Sequence, residues 1–381
     1  MAAHSCRSAL SGAGADGRSE MPDVWVRRDY SLVGDQGKLA VEQGLANAKW
    51  YASAIPRERL KGLMKRSDGP AIRDTIIWVA AFVVTGGAGY LLWGSWWAVP
   101  AFLAYGVLYG SSTDSRWHEC GHGTAFKTRW MNEVVYQIAC FMVLREPAVW
   151  RWSHTRHHTD TIIVGRDPEV VAPRPPILRD IFLMFFGIKQ AQSYISKVTL
   201  HSIGKLTADE ETFIPQSERA KVYWVARVHI LIYVAFIGWA ISLRSILPLM
   251  YVGLPALYGA WHYVVTALMQ HLGLAEDVLD HRLNARTVYL NPISRFIYWN
   301  MNYHVEHHMF PMVPYHALPA LHEELKGDLP KPYNGIIETY REIIPTLLRQ
   351  LRDPNYFVRR ELPPTARPFK PASQASMAAA E

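Results

Sequence analysis

The residues with chemistry to offer are histidines, and they come in clusters. His304, Val305, Glu306, His307 and His308 spell H-x-x-H-H, and His154, Thr155, Arg156, His157 and His158 spell it again. On a helix, positions i, i+3 and i+4 share a face, so each cluster aims three imidazoles in one direction. A third cluster, His118-Glu119-Cys120-Gly121-His122, sets two more histidines one turn apart. Neutral imidazole is the commonest metal ligand and suits iron, copper, nickel or zinc better than a hard cation. Eight of the sixteen histidines lie in these three boxes. An isolated histidine at an apolar border is usually structural, but three boxes in one chain imply a metal site with more than one ion.

Three chemistries compete for such a site. The first box alone reads H-E-x-x-H, the zinc protease signature, with Glu119 as general base between His118 and His122. That reading strands the other two boxes. A soluble carboxylate-bridged di-iron bundle needs two E-x-x-H motifs and further glutamates, and only Glu119 to His122 supplies one. A histidine-rich two-metal site uses all three boxes, and His271, after the last apolar run, brings the donors to nine. A membrane receptor with a structural zinc is a further alternative. Such sites close with four ligands per ion, and nine donors exceed that need.

Four apolar stretches must position these boxes. Residues 75–93 and 98–115 are nearly uncharged, as are 224–242 and 246–269, and each is long enough for a ~30 Å hydrocarbon core. The expected fold is therefore an all-α integral membrane protein, with four transmembrane helices in two hairpins and a cytoplasmic helical cap carrying a histidine-rich di-metal site. Trp93, Trp96 and Trp97 mark the first turn as interfacial. Pro248 and Pro255 in the last stretch are tolerable in a membrane helix. The two hairpin turns hold one basic residue, Arg244, so the positive-inside rule puts every box on the cytoplasmic face. Mean hydropathy near zero conceals these runs. Residues 1–22 are expected to be a disordered tail (with Met21 a plausible start), 23–353 the folded domain, and 354–381 a second disordered tail. No cleavable signal peptide is expected from residues 1–24. Cys6, Cys120 and Cys140 give no disulfide framework. A net charge of +7 fits a membrane surface or an acidic protein partner, and no nucleic-acid partner is expected.

With HECGH, HTRHH and HVEHHMFP laid over four apolar runs, the chain resembles the integral-membrane fatty acid desaturases, a family extending to alkane and carotenoid hydroxylases. The resemblance covers roughly residues 29–355. It implies a non-haem di-iron site that activates O2, so two iron ions are the expected cofactor. His118, His122, His154, His157, His158, His304, His307 and His308 match the family's ligands, and His271 sits where some branches place another. The resemblance also implies a separate electron donor, a ferredoxin of Rieske or other type with its reductase, and membrane lipid as a partner. His304 stands where front-end desaturases carry Gln, and H-P-G-G is absent, so acyl-lipid desaturases are closer. HECGHGTAF with NYHVEHHMFP is also similar to a bacterial branch of hydrocarbon oxygenases, some linked to rhizopine catabolism. The expected reaction is insertion of a double bond into a fatty acyl chain. Hydroxylation of a hydrocarbon, or oxidative demethylation of a small methyl ether, is the alternative. The expected place is a bacterial inner membrane, with the site facing the cytoplasm. Asn302, Asp160 and Asp167 are candidates to orient imidazoles, as are Glu119 and Glu306 within the boxes. His201, His229, His262, His281, His316 and His322 lie outside any cluster and read as structural.

Overall fold

The computed structural model describes residues 28–369. The expected 1–22 tail lies outside that range. Among the described residues the secondary structure is helical, apart from isolated bridges pairing Thr287 with Tyr303 and Val288 with Tyr333. The principal helices are α1 Asp68–Leu91, α2 Ala98–His122, α3 Arg129–Met142, α4 Pro147–Thr159, α5 Ile188–Ser202, α6 Gln216–Ser242, α7 Leu247–Tyr251, α8 Pro255–Tyr258, α9 Ala260–His271, α10 His304–Met309, α11 Leu318–Leu325 and α12 Ile336–Gln350.

Two helical stretches are long and apolar enough to cross a membrane, Arg57–Leu91 and Gln216–Ser242. Their apolar residues face outward: Val83 is 69% exposed, Val84 70% and Leu231 66%. A soluble helix would bury such residues, whereas a bilayer solvates them. The other two expected spans differ from the sequence reading. Residues 98–115 belong to a helix that continues to His122, because its second half is taken up by protein. Ser111 to Cys120 are all buried, charged residues included. Residues 246–269 do not form one helix but three pieces, α7, α8 and α9. Gly253 adopts φ +93, and Pro248 and Pro255 lack the N–H that a continuous helix needs. The break lets Gly259 lie against Gly106 of α2, where a Cβ on Gly259 would sit 2.0 Å from the Gly106 carbonyl oxygen. Only glycine admits that approach.

The histidine-bearing end is held by side-chain packing. Arg116, fully buried, lies between the rings of Trp78 (4.7 Å) and Trp299 (4.5 Å). Trp299 and Asn300 both adopt left-handed backbone, φ 44 and 56, and α10 follows after Met301, Asn302 and Tyr303. A bulky residue there is strained. Trp299 is kept in place by stacking on Tyr315 at 4.3 Å and 7°. Beneath α10, Val305 and Met309 pack with Leu318, Leu321 and Leu325. Part of the expected 354–381 tail is ordered. Val358 N–H donates to Gly273 O at 2.9 Å, Arg282 Nη2 donates to Arg367 O at 3.1 Å, and Phe369 meets the Tyr51 ring at 5.4 Å. The remainder, 370–381, lies outside the described residues.

Candidate metal centre

Each histidine box sits on a helix whose ends are fixed locally. The first box ends α2, which stops because Gly123 at φ +67 takes the left-handed C-terminal position. The second fills the last turn of α4, which begins with Pro147 at its first position, where the missing N–H costs nothing. The third forms all of α10 but its last residue, Met309, shortly after the left-handed turn at Trp299 and Asn300. His271 is the last residue of α9.

All nine imidazoles named from the sequence come together, in two groups. His118, His122, His154, His158 and His307 form one, and His157, His271, His304 and His308 the other. Within each group the ligand-capable atoms lie within 4.8 Å of one another. The groups abut, since His158 and His308 stack at 4.4 Å and His154 and His157 stack at 5.6 Å. Nε2 atoms face one another at close range: His122 to His154 at 3.1 Å, His158 to His154 at 3.1 Å, His307 to His158 at 3.2 Å, His308 to His304 at 3.0 Å and His304 to His271 at 2.8 Å.

This arrangement tests whether a metal fits. His271 Nδ1 lies 2.7 Å from the Asn284 carbonyl oxygen, which can only accept, so Nδ1 carries the proton and Nε2 presents a lone pair. That lone pair points at other Nε2 atoms. Protonating the rings would relieve the clash, but burial opposes it first, and the neighbouring imidazoles second. Both push His118, His154, His158, His304 and His308 well below the usual histidine range. His122 falls to about 4 for the same reasons. Both ring nitrogens of His118 are buried without a protein partner. Converging neutral imidazoles with unpartnered nitrogens fit transition-metal cations and little else.

Carboxylates behind the rings orient them. Asp167 Oδ2 lies 2.8 Å from His157 Nδ1, and Glu169 Oε2 lies 3.0 Å from His154 Nδ1. Burial resists charging His157, and the bond to Asp167 outweighs it, so this ring alone of the nine is shifted upward. Glu169 was not foreseen; its link to His154 spans 15 residues and a proline-containing loop. Glu119 is fully buried and its carboxyl is pushed up to about 8 by burial; its Oε1 is 3.7 Å from His307 Nδ1. Glu306 points away from the imidazoles of its own box, accepting from Thr287 Oγ1 at 2.6 Å and pairing with His322. Two other candidates do not touch the rings. Asp160 pairs with Arg156 and Arg166, and Asn302 donates to Val288 O. Cys120 packs with Ala71, Phe126 and Cys140 in an apolar cluster.

Of the histidines read as structural, His201 lies between Glu146 and Glu210, His229 meets Tyr194 and His262 meets Ser111. His281, read as structural too, lies outside both groups but close to one of them. It stacks on Trp50 at 4.3 Å and comes within 5.0 Å of His308, so it walls the second group. No spacing rule marks it. A cavity of about 530 Å³ adjoins both groups, with His118, His154, His157, His271 and His304 in its wall.

Comparison with known proteins agrees with this site. The family model described as fatty acid desaturase matches residues 94–340, which hold all nine histidines. A delta(12)-acyl-lipid desaturase of Punica granatum is 27% identical over 176 residues, 42% of this chain and 42% of the relative. A chloroplastic omega-3 fatty acid desaturase of Sesamum indicum is 24% identical over 292 residues, 70% and 63% respectively. A probable fatty acid desaturase of Sorghum bicolor is 25% identical over 334 residues, 74% and 80%. The chain spans less than two thirds of the length of the first two relatives. With the family match over most of its length and the histidine groups in place, the chain belongs to the fatty acid desaturase family.

Proposed function

We propose that this protein is a membrane-bound non-haem di-iron enzyme that uses O2 and two external electrons to oxidise an unactivated C–H bond. The observation that supports this best is the pair of abutting imidazole groups. His118, His122, His154, His158 and His307 would hold one iron, and His157, His271, His304 and His308 the other. When bound, a di-iron centre supplies the oxidising power that no side chain has. The chain's own groups do the rest. Asp167 and Glu169 fix two rings, burial keeps the imidazoles neutral, and the enclosing helices keep water from the reacting carbon.

The names of the relatives make desaturation the first outcome to test. Two hydrogen atoms leave adjacent carbons and, with two electrons and two protons, O2 becomes two waters. Hydroxylation consumes the same electrons and protons but puts one oxygen atom into the C–H bond and releases the other as water. On a methyl ether the resulting hydroxymethyl group collapses to an alcohol and formaldehyde. The charged pair Asp114–Arg145 in the cavity wall favours this second outcome. In the topology we infer, α1 and α6 span the bilayer as continuous helices, α2 enters as a third, and the broken α7–α9 segment completes the second hairpin. The centre then faces the cytoplasm, where a ferredoxin and its reductase deliver electrons. Expression with ferredoxin and reductase under isotopically labelled O2 decides between outcomes. An unlabelled double bond supports desaturation, and label in an alcohol or in formaldehyde supports hydroxylation. No oxidation of any lipid or added substrate, despite iron in the protein, counts against the proposal.

A further inference from the structure

Four rings in contact lead from the protein surface to both histidine groups. The indole of Trp50 lies on the imidazole of His281, with centroids 4.3 Å apart and planes 3° from parallel. His281 meets His308 at 5.0 Å and 36°, and His308 stacks on His158 at 4.4 Å and 28°. His308 belongs to the second group and His158 to the first. His281 and His308 are buried, whereas Trp50 is half-buried and keeps part of its indole open.

The outer rings are held in place. Trp50 Nε1 donates at 3.0 Å to the carbonyl oxygen of Thr159, the residue after His158 at the end of α4. The indole packs on the cluster of Ala40, Leu45, Ile163 and Leu279. His281 Nδ1 is buried with no hydrogen-bond partner. An apolar side chain would avoid that cost. What the imidazole supplies is a flat π surface between Trp50 and His308. A second aromatic approach, from Trp150 through Trp117 to His154, differs in kind. Its contacts are edge-on, at 64° and 78°, and the Arg145 guanidinium lies against both indoles.

The chain that carries Trp50 is basic. Lys49, Arg57, Arg59, Lys61 and Lys65 are exposed, against one exposed acid, Glu58. Trp50 and Arg57 are at most about 24 Å apart by extended-chain length. A standard protein interface of about 800 Å² per partner, roughly 30 Å across, covers both. A partly open indole inside a ring of cations suits the centre of such an interface.

We propose that a small acidic one-electron carrier protein docks over Trp50, and that its electrons pass through Trp50 and His281 to the second histidine group at His308, and from there to the first at His158. This rests on the di-iron reading of the centre and adds to it the place where electrons arrive. Each carrier is oxidised by one electron, and the metal held by the second group is reduced by one. Two such events supply the two electrons of the reaction. No bond forms or breaks in Trp50 or His281, and neither changes oxidation state. Their stacked π systems narrow the gaps across which the electron tunnels.

The test uses full-length protein in detergent and an acidic plant-type ferredoxin as the probe. Iron-loaded, oxidised protein is mixed anaerobically with reduced ferredoxin, and stopped-flow absorbance follows ferredoxin re-oxidation. At saturating ferredoxin, Trp50→Leu should slow this step by about tenfold or more, and Trp50→Phe should recover most of the loss. Trp130→Leu, at an exposed indole on α3, should match wild type. Should Trp50→Leu fail to hold iron, His281→Phe should keep more of the rate than His281→Leu. Titration of iron-free protein reads docking by itself. There Lys49→Glu/Lys61→Glu should raise the ferredoxin Kd by about tenfold, since charge reversal at a rim weakens a complementary partner. An unchanged saturating rate in iron-loaded Trp50→Leu overturns the proposal, as does an unchanged Kd in the charge-reversal variant. Wild type with two irons that dithionite reduces and ferredoxin does not overturns this proposal and leaves the metal centre standing. Wild type that holds no iron overturns both.

Discussion

Asp167 Oδ2 and His157 Nδ1 lie 2.8 Å apart, and the Asp167 side chain is wholly shielded from solvent. Two backbone donors, Ile162 N–H at 2.7 Å and Glu169 N–H at 2.8 Å, hold the same carboxylate, so it cannot swing away. The ring of His157 is aimed by a rigid group. Asp167→Asn should lower iron affinity by about 10–100-fold, because the ring loses the charge that fixes its tautomer. Asp160→Asn, which touches no imidazole, should leave it unchanged. Competition with a chelator measures both.

Removing a ligand should be more severe. His157→Ala or His307→Ala is expected to abolish turnover while the protein still inserts into the membrane, since the apolar helices are untouched. Activity above half of wild type would strike that residue from the ligand set. Metal analysis of the purified wild type should return iron near two per chain; zinc near one would point to a structural site instead.

Orientation in the bilayer can be read by labelling. A cysteine placed at Ser95, in the tryptophan-flanked turn, should react with a membrane-impermeant thiol reagent from outside intact cells. Cysteines at Ser67 and Ser217 should react only after permeabilisation. The opposite pattern would put the metal centre on the wrong side for cytosolic electron donors.

Arg57, Arg59, Lys61 and Lys65 form an exposed basic strip on the helical stretch before α1. If an acidic ferredoxin docks there, turnover should fall as salt rises past 0.1 M, where the Debye length is ~10 Å. Neutralising Arg57 and Lys61 together should flatten that dependence. A salt-independent rate with purified donor would move the docking surface elsewhere.

His201 carries a pH signature away from the centre. Burial works against charging its ring, and the hydrogen bonds to Glu146 (2.7 Å) and Glu210 (2.9 Å) outweigh that, raising its pKa to about 9. A raised histidine pKa stabilises the fold fully below the unfolded value near 6.5 and loses that contribution as pH climbs through 9. The melting temperature in detergent should therefore decline from pH 7 to 9.5, and His201→Gln should remove that component of the slope. Equal slopes in both proteins would refute the assignment.

The histidine boxes were legible because helical spacing alone puts i, i+3 and i+4 on one face; their convergence into two groups required the tertiary fold. Asp114 was legible on the same rule, being four residues before His118, although the apolar run around it hid it. Arg145 and Glu169 were not, since Arg145 meets Asp114 across the whole of α3 and Glu169 meets His154 across a proline loop, separations that spacing does not encode. His281 gives the same lesson from the other side, because an isolated histidine has no pattern to read. The breakers Pro248, Gly253 and Pro255 were all visible in the sequence. What they accomplish, the seating of Gly259 on Gly106, depends on a helix more than 140 residues earlier in the chain.

In the topology proposed above, one helix joins the membrane to the histidine groups. α2 runs without interruption for 25 residues from beside the exposed Trp96 and Trp97 to His122, a rod of about 37 Å. A membrane that thickens or thins makes its helices tilt. Each degree of tilt about the tryptophan end carries His118 and His122 through an arc of about 0.6 Å, by the length of the rod. Displacements near 1 Å are enough to spoil a catalytic arrangement. In that topology the bilayer is mechanically in series with the two histidine groups, and its thickness becomes one of the coordinates that determine whether the imidazoles are in register.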